Sequence, residues 1–152
     1  MVLNDVLTKQ NVITKILLQD GDKELSKALK VKIMRIRMAY NKVKQKFDSD
    51  TQEFTKELVP AELQELANKQ DRTSEEENRF NELNNKINSE YQEFLIQKGN
   101  EEIVDAIDDT FTIGEYSDIL DVNSGNDVEI NGNKIAAVDF MEIVYNLFVK
   151  ED

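Results

Sequence analysis

The chain has 152 residues and a formal net charge of -12, with 39% hydrophobic and 33% charged side chains. This length suits one domain, and the polar composition leaves room for only a thin core, of the kind found in elongated helical hairpins that expose most of their circumference. With no Cys and no His, the sequence excludes disulfides, thiolate metal sites, thiol nucleophiles, Ser-His pairs and the commonest general base near neutral pH, so any catalysis would rest on carboxylates, Lys, Tyr or a hard cation.

The total charge hides a segregation along the chain. Residues 1–47 hold 11 Lys or Arg and 4 Asp or Glu, whereas residues 48–152 hold 8 and 27. The acidic total argues against a general nucleic-acid binder. MVLNDVLTKQ lacks the apolar stretch of a signal peptide, and no later apolar run approaches ~20 residues, so a soluble cytoplasmic protein with no membrane partner is expected.

Leu3 to Leu18 reads as a first helix, with Val6, Leu7, Ile13, Ile16 and Leu17 at helical spacing and Asp20-Gly21-Asp22 as its stop, positioned to pack across the start of the next helix. From Lys23 onward, Leu29, Ile33, Ile36, Tyr40, Val43, Phe47 and Phe54 recur as a heptad seam. A helix unbroken to Leu58 would extend roughly 54 Å. Asp48-Ser49-Asp50 leaves a kink or break open, because Asp50 falls on the seam and both residue types are weak helix formers.

Val59-Pro60 ends that helix, and Pro60 suits the first position of a short helical segment reaching Lys69 with Leu63 and Leu66 inward. Two overlapping capping boxes, Thr73 with Glu76 and Ser74 with Glu77, then open a second long helix. Phe80, Leu83, Ile87, Tyr91 and Phe94 mark its buried stripe, and Gly99 offers a left-handed cap.

These two helices are expected to form an antiparallel, coiled-coil-like hairpin. Lys23, Lys30, Arg37 and Lys44 recur every seven residues beside the seam, where flanking charges select a partner helix, and Glu75, Glu76, Glu77, Glu82, Glu90 and Glu93 supply the opposite sign. The basic stripe is read as pairing within the hairpin or with another subunit, in preference to outward phosphate binding. Tyr40, Phe47, Phe80, Ile87, Tyr91 and Phe94 are assigned to the core or to a subunit interface, with Tyr40 and Ile87 both buried in mid-seam.

Glu101 to Ile119 shows no sustained helical period and reads as short strands or irregular turns. Asp127 to Ile135 alternates around Asn131-Gly132, the strongest short hairpin signal. Asp139 with Glu142 forms a plausible cap and box before a terminal helix carrying Phe140, Met141, Ile143, Val144, Leu147 and Phe148. The expected fold is therefore α+β and predominantly α: residues 1–100 a helical region with the long charged hairpin, residues 101–152 a small α+β region, together one folded unit.

Residues 121–132 place Asp121, Asn123 and Asp127 like a calcium loop, but Gly125, Asn126 and Gly132 occupy the fifth, sixth and twelfth positions, where a ligand, a glycine and a bidentate Glu belong. Asp105, Asp108, Asp109, Glu115 and Asp118 could serve magnesium or acid-base chemistry, yet in so acidic a chain they read as solvated surface. The five glycines are too widely spaced for a phosphate loop. No catalytic, cofactor or metal residue is assigned, and a non-enzyme is expected.

The segments KALKVKIMRIRMAYNKVKQKF, RTSEEENRFNELNNKINSEYQEFL and VEINGNKIAAVDFMEIVYNLF, in that order, resemble small bacteriophage-encoded helical-hairpin proteins of uncharacterised function. The resemblance implies either a virion or assembly component, located in the virion or the host cytoplasm, or a small acidic inhibitor of a host defence or DNA-binding protein whose surface imitates phosphate. It carries no active site. The long heptad seam, with more flanking charges than one hairpin uses, leads to the expectation of a protein partner or self-association, with a homo-oligomer expected.

Overall fold

The structure, a computed structural model, describes residues 1–17, 24–104, 106–123 and 127–150. Lys23, Asp105, Gly125, Asn126 and the expected stop at Asp20-Gly21-Asp22 lie outside the described residues. Six helices and one two-stranded antiparallel sheet make up the described part, a predominantly α fold with a small β element near the C-terminus.

Helix α1 spans Leu3–Leu17, and its stripe of Val6, Val12, Ile13 and Ile16 is buried against α2. Helix α2 spans Lys27–Leu58, where Ser26 caps it by accepting from the Leu29 N–H at 3.2 Å. At 32 residues it runs unbroken through Asp48-Ser49-Asp50. The weak helix formers cost only about 0.7 kcal/mol each, and both aspartates have cationic partners, Lys44 at 2.7 Å from Asp48 and Lys98 at 3.2 Å from Asp50.

The seam of α2 serves two different cores. Leu29, Ile33, Ile36 and Tyr40 are buried in the main cluster, together with α1 and the C-terminal elements. Beyond Phe47 the same helix belongs to an arm. Its companions there are α3, Ala61–Asn68, and α4, Ser74–Gly99. Phe54 stacks on Phe94 with centroids 4.1 Å apart and rings 5° from parallel, while Asp50 meets Lys98. Numbers rise on one helix as they fall on the other, so the hairpin is antiparallel. A second, smaller cluster closes its tip: Leu63, Leu66 and Leu83, flanked by Val59, Phe80 and Ile87.

Several local expectations need correction. Tyr40 is fully buried, but Ile87 is only half-buried and lies in the tip cluster, far along the arm from Tyr40. Phe47, Phe80, Tyr91 and Phe94 are likewise half-buried, because a two-helix arm has no third layer to cover them. Pro60 is the cap residue before α3 and not its first position. Only the Thr73–Glu76 capping box forms; Ser74 is already helical and Glu77 pairs with Arg72 at 2.8 Å. Gly99 is no left-handed cap. It is the last residue of α4, followed by Asn100 at φ -92°, and a Cβ there would lie 2.5 Å from the Asn4 side chain, so glycine permits the close approach of α4 to α1.

The next segment follows its reading as short strands or irregular turns up to Thr112 and departs from it beyond. It contains isolated bridges, Val2 to Glu102 and Phe111 to Val149, and then a helix, α5, at Ile113–Val122. Thr112 and Glu115 form its reciprocal capping box. Strands β1, Val128–Ile130, and β2, Asn133–Ile135, pair as the sequence predicts, with Asn131 and Gly132 at φ 52° and 79°, the left-handed pair that a type I′ turn requires. Helix α6, Ala137–Phe148, follows the cap residue Ala136, which supplies no side-chain cap; Asp139 sits in its first turn instead of before it. Phe140, Met141, Val144 and Phe148 bury its inner face.

Candidate interaction surface

Two polar clamps hold the segment before α5 against the helices. Asp109, nearly buried, accepts from the Lys9 ammonium at 2.9 Å and from the Tyr40 hydroxyl at 2.5 Å. Lys32 donates at 2.8 Å both to the Thr110 carbonyl and to Glu115. Each ammonium also lies over an aromatic ring, Lys9 above Phe148 at 5.7 Å and Lys32 above Phe111 at 5.3 Å.

Burial pushes the Tyr40 hydroxyl far above the ordinary phenol range, and its bond to the Asp109 carboxylate pushes the same way. For Glu115, burial acts upward, but bonds from Lys32 and the Thr112 N–H outweigh it and hold the carboxyl below its usual range. The acidic cluster therefore divides: Asp108 and Asp118 are solvated as expected, whereas Asp109 and Glu115 are structural partners of cations.

The basic stripe does not pair with α4. Lys30 meets Glu24 at 3.5 Å, Lys44 meets Asp48 one turn on, and Arg37 is exposed with no ionic partner among the described residues. The glutamates of α4 turn to nearer cations: Glu76 to Lys69, Glu77 to Arg72, and Glu82 to Arg79 at 3.5 Å. The reason is positional. Helix α4 lies beside the arm half of α2, while Lys30 and Arg37 lie on the half packed with α1. The seam residues are not brought to one site either: Tyr40 belongs to the main core, Phe94 to the middle of the arm, and Phe80 and Ile87 to its tip.

What remains open is the face of α2 turned away from its core. Val31, Met34 and Met38 are 39%, 52% and 60% exposed, at the i, i+3, i+7 spacing that aligns side chains along one side of a helix. Lys27, Arg35, Lys42 and Lys46 interleave with them, all exposed and without ionic partners among the described residues. At ~100° per residue, Val31, Met38 and Lys42 fall within about 40° of one another and roughly opposite Tyr40. A groove of about 650 Å³ runs alongside, lined by Val31, Arg35, Met38, Lys42, Ala106 and Asp108 among others. In the sequence this ridge is a second apolar spacing, Val31, Met34 and Met38, running beside the stronger seam.

Among the described residues no group of three or more His, Cys, Asp or Glu is placed to hold a metal ion, and no helix is long and apolar enough to cross a membrane. Compared with protein-family models, curated proteins and solved structures, the chain matches none.

Proposed function

We propose that this chain is a non-enzymatic protein-binding component whose docking face is the exposed ridge of α2. The observation that supports this reading is the coincidence of three exposed apolar side chains, Val31, Met34 and Met38, with four cations that lack partners among the described residues, all on one rigid helix. A surface for phosphate alone would have no use for the methionines, which are polarizable, adaptable contacts for another protein. In the phage setting implied by the resemblance of the three segments, this is the work of a virion or assembly protein. The acidic arm supports the second reading, an inhibitor that imitates phosphate, since Glu75, Glu90 and Glu93 have no ionic partner among the described residues.

Affinity capture from source cells with three baits separates the two. Loss of a retained protein with Met38→Asp but not with Glu90→Lys/Glu93→Lys is expected for the ridge. The reverse pattern favours the inhibitor, and indifference to both substitutions overturns both readings.

A further inference from the structure

Ridge and arm carry opposite charge on one rod. Between Lys27 and Phe47 there are eight cations and no anion; between Asp48 and Lys98 there are thirteen acids and six bases. Four of those six bases, Lys69, Arg72, Arg79 and Lys98, are already paired with carboxylates, so the arm keeps an outward excess of negative charge. On α2 itself the two regions share a face: Glu53 and Glu57 follow Lys42 and Lys46 by eleven residues, three full turns of helix.

From this arrangement we infer that the occupant of the ridge is a second copy of the chain, with two α2 helices side by side and antiparallel about a two-fold axis. This rests on the reading of the ridge as a docking face. Ridge cannot lie on ridge, since the four unpaired cations Lys27, Arg35, Lys42 and Lys46 would face their own copies. In an antiparallel register centred between Phe47 and Asp48, Lys42 of one copy comes opposite Glu53 of the other and Arg35 lies within about one helical turn of Glu57, and the two-fold repeats the set, as an isologous interface must. Val31, Met34 and Met38 lie on the same ridge as these cations and are covered with them when the second copy docks. The ridge from Lys27 to Lys46 is roughly 28 Å long and α4 roughly 39 Å, so the arm is long enough to cover it. The apolar residues distinguish this surface from a phosphate track, on which cations alone would suffice.

Sedimentation of the purified full chain tests the arrangement through a charge exchange. The parent is expected to be a dimer at tens of micromolar, with its dissociation constant raised at least about tenfold between low and high salt, because exposed pairs are screened. Arg35→Glu/Lys42→Glu and Glu53→Lys/Glu57→Lys should each be monomeric. Mixed one to one they should form a heterodimer, since both halves of the interface are attractive again. All four positions are exposed, and circular dichroism confirms that each variant folds. A parent that stays monomeric, a parent that forms open chains, or a mixture that fails to associate overturns the inference. So does submicromolar, steeply salt-dependent binding of a short DNA duplex that displaces self-association. A monomer whose ridge still governs capture of another protein would overturn this inference while leaving the docking face intact.

Discussion

The Tyr40 hydroxyl donates to the carboxylate of Asp109 across 69 positions of sequence, at the point where α2 meets the segment leading into α5. Lys9 shares that carboxylate from α1, so three distant stretches converge on one oxygen. Removing the acid strands a largely buried ammonium. Asp109→Ala is therefore expected to destabilise the fold by about 3–5 kcal/mol, whereas Tyr40→Phe, which deletes one hydrogen bond but leaves the ion pair, should cost about 1 kcal/mol. Urea unfolding of the two variants checks the ranking; equal losses would show that the carboxylate does not organise this junction.

Alkaline stability follows from the same contact. Tyr40 ionises in the folded chain far above its ordinary value of 10.0, so the unfolded chain loses this proton first. The stabilisation is fully present below pH 10 and falls as pH rises beyond it. The steepness of the decline in melting temperature above pH 10 should be smaller in Tyr40→Phe. Ultraviolet titration of the four tyrosines should show Tyr40 as the last to ionise, and a parent that loses no late step on substitution would contradict the assignment.

At the acid end the sign reverses. Glu115 is held below its reference value of 4.5 by Lys32 and the Thr112 N–H against an opposing effect of burial. Its contribution is present above pH 4.5 and disappears as pH falls through the lowered value in the folded chain. Glu115→Gln should accordingly narrow the difference in melting temperature between pH 6 and pH 3. An unchanged difference would mean that the capping box and the Lys32 bond do not favour the ionised form.

Two hydrophobic clusters imply two levels of stability. Ile33 is fully buried in the main core, and Ile33→Ala should lower global stability by about 2–5 kcal/mol. Leu83 belongs to the small tip cluster, so Leu83→Ala should accelerate amide exchange through α3 and the first half of α4 while leaving the amides around Tyr40 nearly as protected as before. Uniform acceleration along the whole chain would show that arm and body open as one unit.

Much of this architecture was legible because local signals were strong: the heptad spacing of α2, the Thr73–Glu76 box, Asn131-Gly132 before β2. The same box grammar at Thr112 and Glu115 opened α5, but its apolar period is blurred because Phe111 enters the core from before the helix and Ile113, its first residue, is exposed. Charge pairing was less readable. Lys30 and Glu75 are complementary in sign, yet the reach of α4 along α2 is fixed by Phe54 meeting Phe94, a tertiary register that no local spacing encodes. The ridge at Val31, Met34 and Met38 was written in the sequence as a second period on the same helix, overshadowed by the longer seam.

Because α2 enters one core at Leu29 and leaves beside the other at Val59, it acts as a ruler with a phase as well as a length. Each residue inserted into it adds about 1.5 Å and turns everything beyond by about 100°. One alanine added between Phe47 and Asp48 would leave both ends helical but swing Phe54 off Phe94, whereas seven would carry the arm outward by roughly 10 Å and bring its face nearly back into line. Helix length in this protein can drift only by near-whole turns, such as seven or eleven residues, so evolution, like an engineer, would find the arm easier to lengthen than to rotate.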